Sequence, residues 1–131
     1  MKKKFIVLRN ENDGGLQGSG VGEELHDCTV RAIAIALKIK YESAHRLLQV
    51  YGRQNGKAFH FYRWMANPGN HLFNLVDHKA KTVGGFIKKH QARPYICTIN
   101  GHAFAVVDSV IQDTRHIGPR TRIKSVWQPV L

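Results

Sequence analysis

The sequence feature that most constrains the fold is a long apolar stretch that begins beside a cysteine. It covers residues 25–37 and reads LHDCTVRAIAIAL. Apolar side chains recur at helical spacing on nearly every side, and only Thr29, Arg31 and Lys38 interrupt the apolar surface. A helix of this kind is enclosed by other elements, so we predict that it forms the buried centre of the fold.

The amino end of this helix is a candidate site. Asp27 is a favourable N-cap residue, which would place Cys28 in the first helical turn. Unpaired backbone N–H groups and the positive end of the helix dipole favour a thiolate over a thiol at that position. Cys28 is therefore a candidate nucleophile, and the alternative is a small core residue.

Length and cysteine content indicate the class of protein. The 131 residues suffice for one domain, residues 1–131, with its own core. Cys28 and Cys97 are too few for a disulfide framework, so we expect a cytoplasmic protein. The apolar run at residues 5–8 is too short for a signal peptide. No stretch approaches the roughly 20 apolar residues of a membrane span.

A strongly basic charge indicates the kind of partner. The formal net charge is +11 and the pI is about 10.1, which favours binding to nucleic acid or to an acidic protein. The alternative is a solvated basic surface. The predicted basic face contains Lys79, Lys81, Lys88, Lys89, Arg115, Arg120 and Arg122. Its candidate binding residues are Lys88, Lys89, Arg120 and Arg122.

The carboxy-terminal third of the sequence predicts an antiparallel sheet. Two apolar runs, residues 93–99 and 102–107, flank Asn100-Gly101, which is the strongest short hairpin signal. A second turn at residues 108–109 leads to a third strand over residues 110–115.

Weaker patterns predict the remaining elements. They indicate helices over residues 41–51 and 82–90, a short aromatic helix or turn over residues 58–66, and strands over residues 5–9, 71–77 and 122–131. Pro129 would put the last strand at an edge or a terminus. The predicted fold class is therefore α+β, with a helical amino-terminal half, a buried central helix and a carboxy-terminal antiparallel sheet, which one or two earlier strands could join.

Register across the two turns brings a histidine and a carboxylate together. With two-residue turns, Phe104 faces Asp113, and Asp113 becomes the diagonal neighbour of His102 on one face, roughly 7–8 Å away at Cβ. Asp108 lies about 20 Å along the strand, too far to orient the imidazole. A satisfied structural pair is the alternative. Cys97 lies on the same face, but inside a strand, where no helix end favours its thiolate. We therefore predict that it is a core residue.

These motifs together resemble a known superfamily. Asp27-Cys28 opening a buried helix, the strand GHAFAVV at residues 101–107, and Asp113 on the next strand resemble the papain-like cysteine peptidases. The chain is most similar to the small bacterial and phage branch that includes the double-glycine leader peptidases of bacteriocin exporters. The segments DCTVRAIAIAL and YESAHRLL also resemble small phage-encoded proteins. The resemblance implies a papain-like fold and a peptide or protein substrate, met in the host cytoplasm if the protein is phage-encoded.

The resemblance also implies a role for each residue. Cys28 would attack a peptide, isopeptide or related acyl carbonyl. His102 would accept the thiol proton and later protonate the leaving group, while Asp113 fixes its tautomer. The Cys28 N–H would hold the oxyanion, with Gln17 as the tentative second donor. The family often has a glutamine shortly before the cysteine and a glycine after it, but this chain has Glu23, Glu24 and His26 before and Thr29 after.

Other kinds of site have weaker support. No histidine pair has ligand spacing and no Cys-x-x-Cys occurs, so we expect no metal and no cofactor. Aromatic residues at 59–64 fit a core, with base stacking as the alternative. Two functions stay open: a cysteine hydrolase, and a catalytically inactive basic module that binds nucleic acid or a host factor on the same scaffold.

Overall fold

The computed structural model of the protein describes residues 7–17, 19, 27–54, 64, 72–90 and 93–130. Its elements in chain order are β1 (Leu8–Asn10), α1 (Cys28–Leu37), α2 (Tyr41–Val50), β2 (Phe73–Leu75), α3 (Val83–Lys89), β3 (Tyr95–Ile99), β4 (His102–Val107), β5 (Val110–Gln112) and β6 (Ser125–Pro129). Three helices and a six-stranded sheet in the described residues confirm the α+β class. The papain-like architecture stays a prediction.

The carboxy-terminal strands β3 to β6 pair antiparallel as predicted, and the parallel pairing of an earlier strand makes the whole sheet mixed. Its strand order is β1-β5-β4-β3-β6-β2. Among these strands, β1 pairs with β5 in parallel, with Leu8 opposite Val110, while the other pairs are antiparallel. No hairpin joins β1 to β5, so nothing in the connection requires the antiparallel direction. The helical amino-terminal half stays a prediction: its described part contains α1 and α2 together with the predicted strand β1.

The two carboxy-terminal turns set the predicted register. Ile99 pairs with His102 across Asn100-Gly101. Val107 pairs with Val110 across a turn whose two residues, Asp108 and Ser109, have φ of 50° and 67°. Positive φ at both positions matches the twist of a tight hairpin. The third strand is shorter than predicted and ends at Gln112, and the next backbone N–H donates to the Asn10 carbonyl of β1 at 3.1 Å.

The sheet separates two apolar clusters. Helices α1 and α2 pack on one face, where Ile33 and Leu48 are fully buried and contact a cluster that includes Ile96 and Ala103. Helix α3 covers the other face, with Phe86 and Cys97 in its cluster. Both faces of β3 are thus buried, and all five of its residues are buried. The buried central helix predicted from the sequence corresponds to α1.

The ends of the helices differ in how they are capped. Asp27 precedes α1 but makes no capping bond with its side chain, which corrects the prediction of a side-chain cap. Its carboxylate instead accepts from Arg31 Nε and from the Tyr41 hydroxyl, each at 2.9 Å, since a charged donor forms the stronger bond. Thr82 caps α3, and its side chain accepts from Gly85 N at 3.1 Å.

Some predicted elements fall partly or wholly outside the described residues. The aromatic segment 58–66 lies outside them except for Trp64, which is buried. Residues 23–26 also lie outside. Strands β1, β2 and β6 are shorter than the ranges predicted from the sequence, and each overlaps its predicted range. No helix in the described part of the chain has the length and apolar character needed to cross a membrane.

Candidate active site

Cys28 is the first residue of α1 and lies above the start of β4. Its thiol is partly exposed. Burial raises the pKa of this thiol, but hydrogen bonds with the His102 side chain and the Ala103 backbone lower it by more, so the pKa lies below its ordinary value. The sequence places Ala103 under α1 because small side chains allow close approach of helix and sheet, and Ala103 is buried in that cluster. The position therefore favours a thiolate.

His102 is the first residue of β4, directly after the Asn100-Gly101 turn. Gly101 has φ of 71°, a conformation that glycine adopts without strain. The His102 Nε2 atom lies 2.5 Å from Asp113 Oδ2, so the hydrogen bond to Cys28 falls to the other ring nitrogen, Nδ1. Burial lowers the pKa of His102, while the bonds to Asp113 and to Cys28 raise it to about 9.

Asp113 is held in place by several elements at once. It is buried, and its second carboxylate oxygen accepts from the Arg115 backbone N–H at 3.3 Å. Its own N–H bonds to the Asn10 carbonyl, and its carbonyl accepts from Arg9 Nη1 at 3.0 Å. Both contacts come from β1. The first strand therefore positions the carboxylate that orients His102.

The three groups meet at an open cleft of about 270 Å³. It is lined by Asp27, Cys28, Arg31, Gly101, His102, Asp113, Thr114 and Arg115. The lowered pKa of Cys28 and the raised pKa of His102 together favour a thiolate–imidazolium pair. Such a pair supplies a nucleophile and a proton donor within one hydrogen bond of each other.

The outer wall of the cleft is built on an ion pair. Arg31 Nε binds Asp27 Oδ2 at 2.9 Å, and Arg31 Nη1 donates to Thr114 Oγ1 at 3.0 Å. The loop before α1 packs closely here: a Cβ on Gly14 would lie 2.9 Å from the Arg31 Cα. These contacts tie α1 to the segment that follows β5, so both walls of the cleft are fixed relative to Cys28.

The other candidate residues lie away from the reacting groups. Gln17 is exposed and does not line the cleft. Cys97 is 0% exposed, and burial raises the pKa of its thiol far above the ordinary range, which makes it inert as a nucleophile. Lys88 and Lys89 occupy the last turn of α3 and are exposed. The exposed Arg120 and Arg122 lie in the segment that contacts the start of the same helix.

Sequence reasoning did not assign Arg31, Thr114 or Arg115 to the cleft. A signal was present for Arg31, because Asp27 and Arg31 have the i, i+4 spacing that forms ion pairs on helices. Arg115 follows Asp113 by two residues, so any placement of Asp113 at the site brings Arg115 near it. The pattern assigned Arg115 to the basic face instead.

Two further kinds of evidence bear on the candidate site: groups that could bind a metal, and similarity to known proteins. Within the described residues, no group of three or more His, Cys, Asp or Glu side chains has the geometry of a metal site. Comparison of the chain with protein-family models, curated proteins and solved structures found no match. The functional argument therefore rests on the chemistry of the Cys28 cleft.

Proposed function

We propose that this protein is a papain-like cysteine hydrolase that cleaves a peptide, isopeptide or related acyl bond. One observation carries the proposal: Cys28, His102 and Asp113 form a hydrogen-bonded series at an open cleft. Residues far apart in sequence thus supply a nucleophile, a proton carrier and an orienting carboxylate in the order of the papain-like family. The cytoplasm of a bacterium or of a phage-infected host is the expected setting.

The proposed reaction follows from the position of each group. The Cys28 thiolate attacks the acyl carbonyl, and the developing oxyanion is held by N–H groups at the start of α1, which lack intrahelical partners. His102 gives its Nδ1 proton to the leaving amine as the bond to the acyl carbon breaks. Water then attacks the thioester, His102 takes a proton from it, and the acid product leaves as the thiolate is restored.

Asp113 acts by positioning the imidazole. Its bond to Nε2 fixes the ring orientation that points Nδ1 at the sulfur, and its charge favours the imidazolium. A purely structural histidine–carboxylate pair would also satisfy both groups. The partly exposed thiol on the other side of the ring favours the catalytic interpretation, because a structural pair requires neither a nucleophile nor an open cleft.

Selective alkylation tests the proposal directly. Iodoacetamide at neutral pH should label Cys28 at least about tenfold faster than it labels a free cysteine of ordinary pKa, since the thiolate is the reacting form. The His102→Ala variant should lose this advantage. Peptide mapping by mass spectrometry identifies the labelled residue, and the buried Cys97 serves as an internal control. Labelling of Cys28 at the rate of free cysteine would reject the hydrolase.

A second function is favoured by the charges around α3. Lys88, Lys89, Arg120 and Arg122 are exposed near the two ends of this helix, and the net charge is +11. We propose as the alternative a catalytically inactive module that binds nucleic acid or an acidic host factor. Salt-dependent binding to DNA, RNA or an acidic protein that survives Cys28→Ala would support it. Binding that requires Cys28 in a correctly folded protein would argue for the enzyme.

A further inference from the structure

The proposed hydrolase cleft contains two arginine side chains that the reaction itself does not use. We propose that Arg31 and Arg115 form an anion subsite, which selects acyl substrates carrying a carboxylate close to the bond that is cleaved. The inference rests on the proposed function and names the substrate class of the same cleft.

Arg31 is presented to the cleft as a fixed donor. It lies three residues after Cys28 in α1, and its Nε and Nη1 atoms are held by Asp27 and Thr114. A guanidinium carries five N–H donors, and these two bonds leave three for a ligand. Since the side chain is already ordered, binding an anion there costs little conformational entropy.

Arg115 is presented to the cleft from the segment that follows β5. Its backbone N–H is fixed to the Asp113 carboxylate at 3.3 Å, and the residue is exposed at the cleft. Within the described part of the chain, its guanidinium makes no hydrogen bond or ion pair. Its charge is therefore available to a substrate, and the planar fork suits a carboxylate.

The balance of charges across the cleft favours one anionic group. Asp27 is matched by Arg31, and Asp113 is matched by the protonated His102. Arg115 lines the same cleft and has no ion-pair partner among the described residues, so a substrate carboxylate would complete its pairing. A cleft of about 270 Å³ holds a few side-chain-sized groups, so the structure favours a carboxylate on the substrate over an extended polyanion.

Two alkylating agents of nearly equal size test this subsite. Iodoacetate and iodoacetamide both lose iodide to the Cys28 thiolate, but only iodoacetate carries a carboxylate. We measure the ratio of their labelling rates at Cys28 in the wild type, in Arg115→Gln, and in Arg46→Gln, a matched control on the exposed side of α2 and outside the cleft. The His102 imidazolium attracts iodoacetate in every variant, so its contribution cancels when the ratios are compared. A difference in the ratio between two variants therefore reports the contribution of the substituted arginine.

Arg115→Gln should lower the ratio about fivefold, which corresponds to roughly 1 kcal/mol for two unit charges 4 Å apart in water. Arg46→Gln should leave the ratio unchanged, and Arg115→Lys should restore most of it. An unchanged ratio in Arg115→Gln, or an equal loss in Arg46→Gln, would overturn the subsite. Slow iodoacetamide labelling of the wild type would instead reject the hydrolase, so the two failures are distinguishable.

Discussion

Replacing Asp113 by asparagine would isolate how much its charge contributes to the reactivity of Cys28. Asparagine keeps the size of the side chain and an oxygen that can accept from His102 Nε2. It removes the negative charge that favours the imidazolium. We therefore expect the fold to be retained while the thiolate–imidazolium pair becomes less stable.

The size of the effect follows from the pKa of His102. Burial, opposed by the bonds to Asp113 and Cys28, brings it from the ordinary 6.5 to about 9, and this difference corresponds to roughly 3 kcal/mol in favour of the imidazolium. Solvent at the open cleft screens part of this free energy, and Cys28 contributes another part. We therefore assign about 1.4 kcal/mol to Asp113. Asp113→Asn should then lower the equilibrium constant for forming the thiolate–imidazolium pair from the neutral pair about tenfold.

The assay is the rate of iodoacetamide labelling as a function of pH, between about pH 5 and 10. In the wild type, Cys28 becomes reactive as pH rises through its lowered pKa, and the paired state persists until His102 loses its proton at about 9. In Asp113→Asn, the first transition should move up and the second should move down. An unchanged profile in a folded Asp113→Asn variant would refute the role of the carboxylate.

Three further predictions concern stability. In Cys28→Ala, the Asp113 carboxylate still raises the pKa of His102 but the contribution of Cys28 is lost, so the free energy of unfolding in urea should fall as pH rises above 6.5, over a narrower range than in the wild type; a flat profile would contradict this. Asp27→Ala leaves Arg31 without its carboxylate and should cost about 2–4 kcal/mol in the same titration at constant pH, and a loss below about 1 kcal/mol would show the pair to be unimportant. Lys38→Gly should raise the melting temperature, with a gain of about 0.5–1 kcal/mol, because Lys38 ends α1 with φ of 57°; a lowered melting temperature would argue against backbone strain there.

The carboxy-terminal hairpins were the part of the fold that the sequence predicted best. Local chemistry decides both turns, since Asn100-Gly101 and Asp108-Ser109 tolerate positive φ, and counting residues from them pairs Ile99 with His102. The same count brought Asp113 beside His102. Helix α1 was predicted equally well, because apolar residues occupy nearly every side of it and such a helix has to be buried.

The features that the sequence did not predict depend on contacts between distant segments. The parallel pairing of β1 with β5 joins Leu8 to Val110 and has no local signal. The Asp27 carboxylate has the residue type of a cap, yet it turns to Arg31 and Tyr41, and only the packing of α2 against α1 brings the Tyr41 hydroxyl within reach. Tertiary hydrogen bonds of this kind override local propensity.

The attachment of β1 beside the cleft has a consequence for the protein during its synthesis. Arg9 reaches the Asp113 carbonyl across 104 positions of the chain, so the orienting carboxylate is not anchored while translation is still in progress. Contacts of such long sequence separation form late and slowly. A nascent chain on the ribosome therefore carries the cysteine helix without its partner groups, and the proposed hydrolase site is incomplete until the distal strands have emerged and paired with the first one.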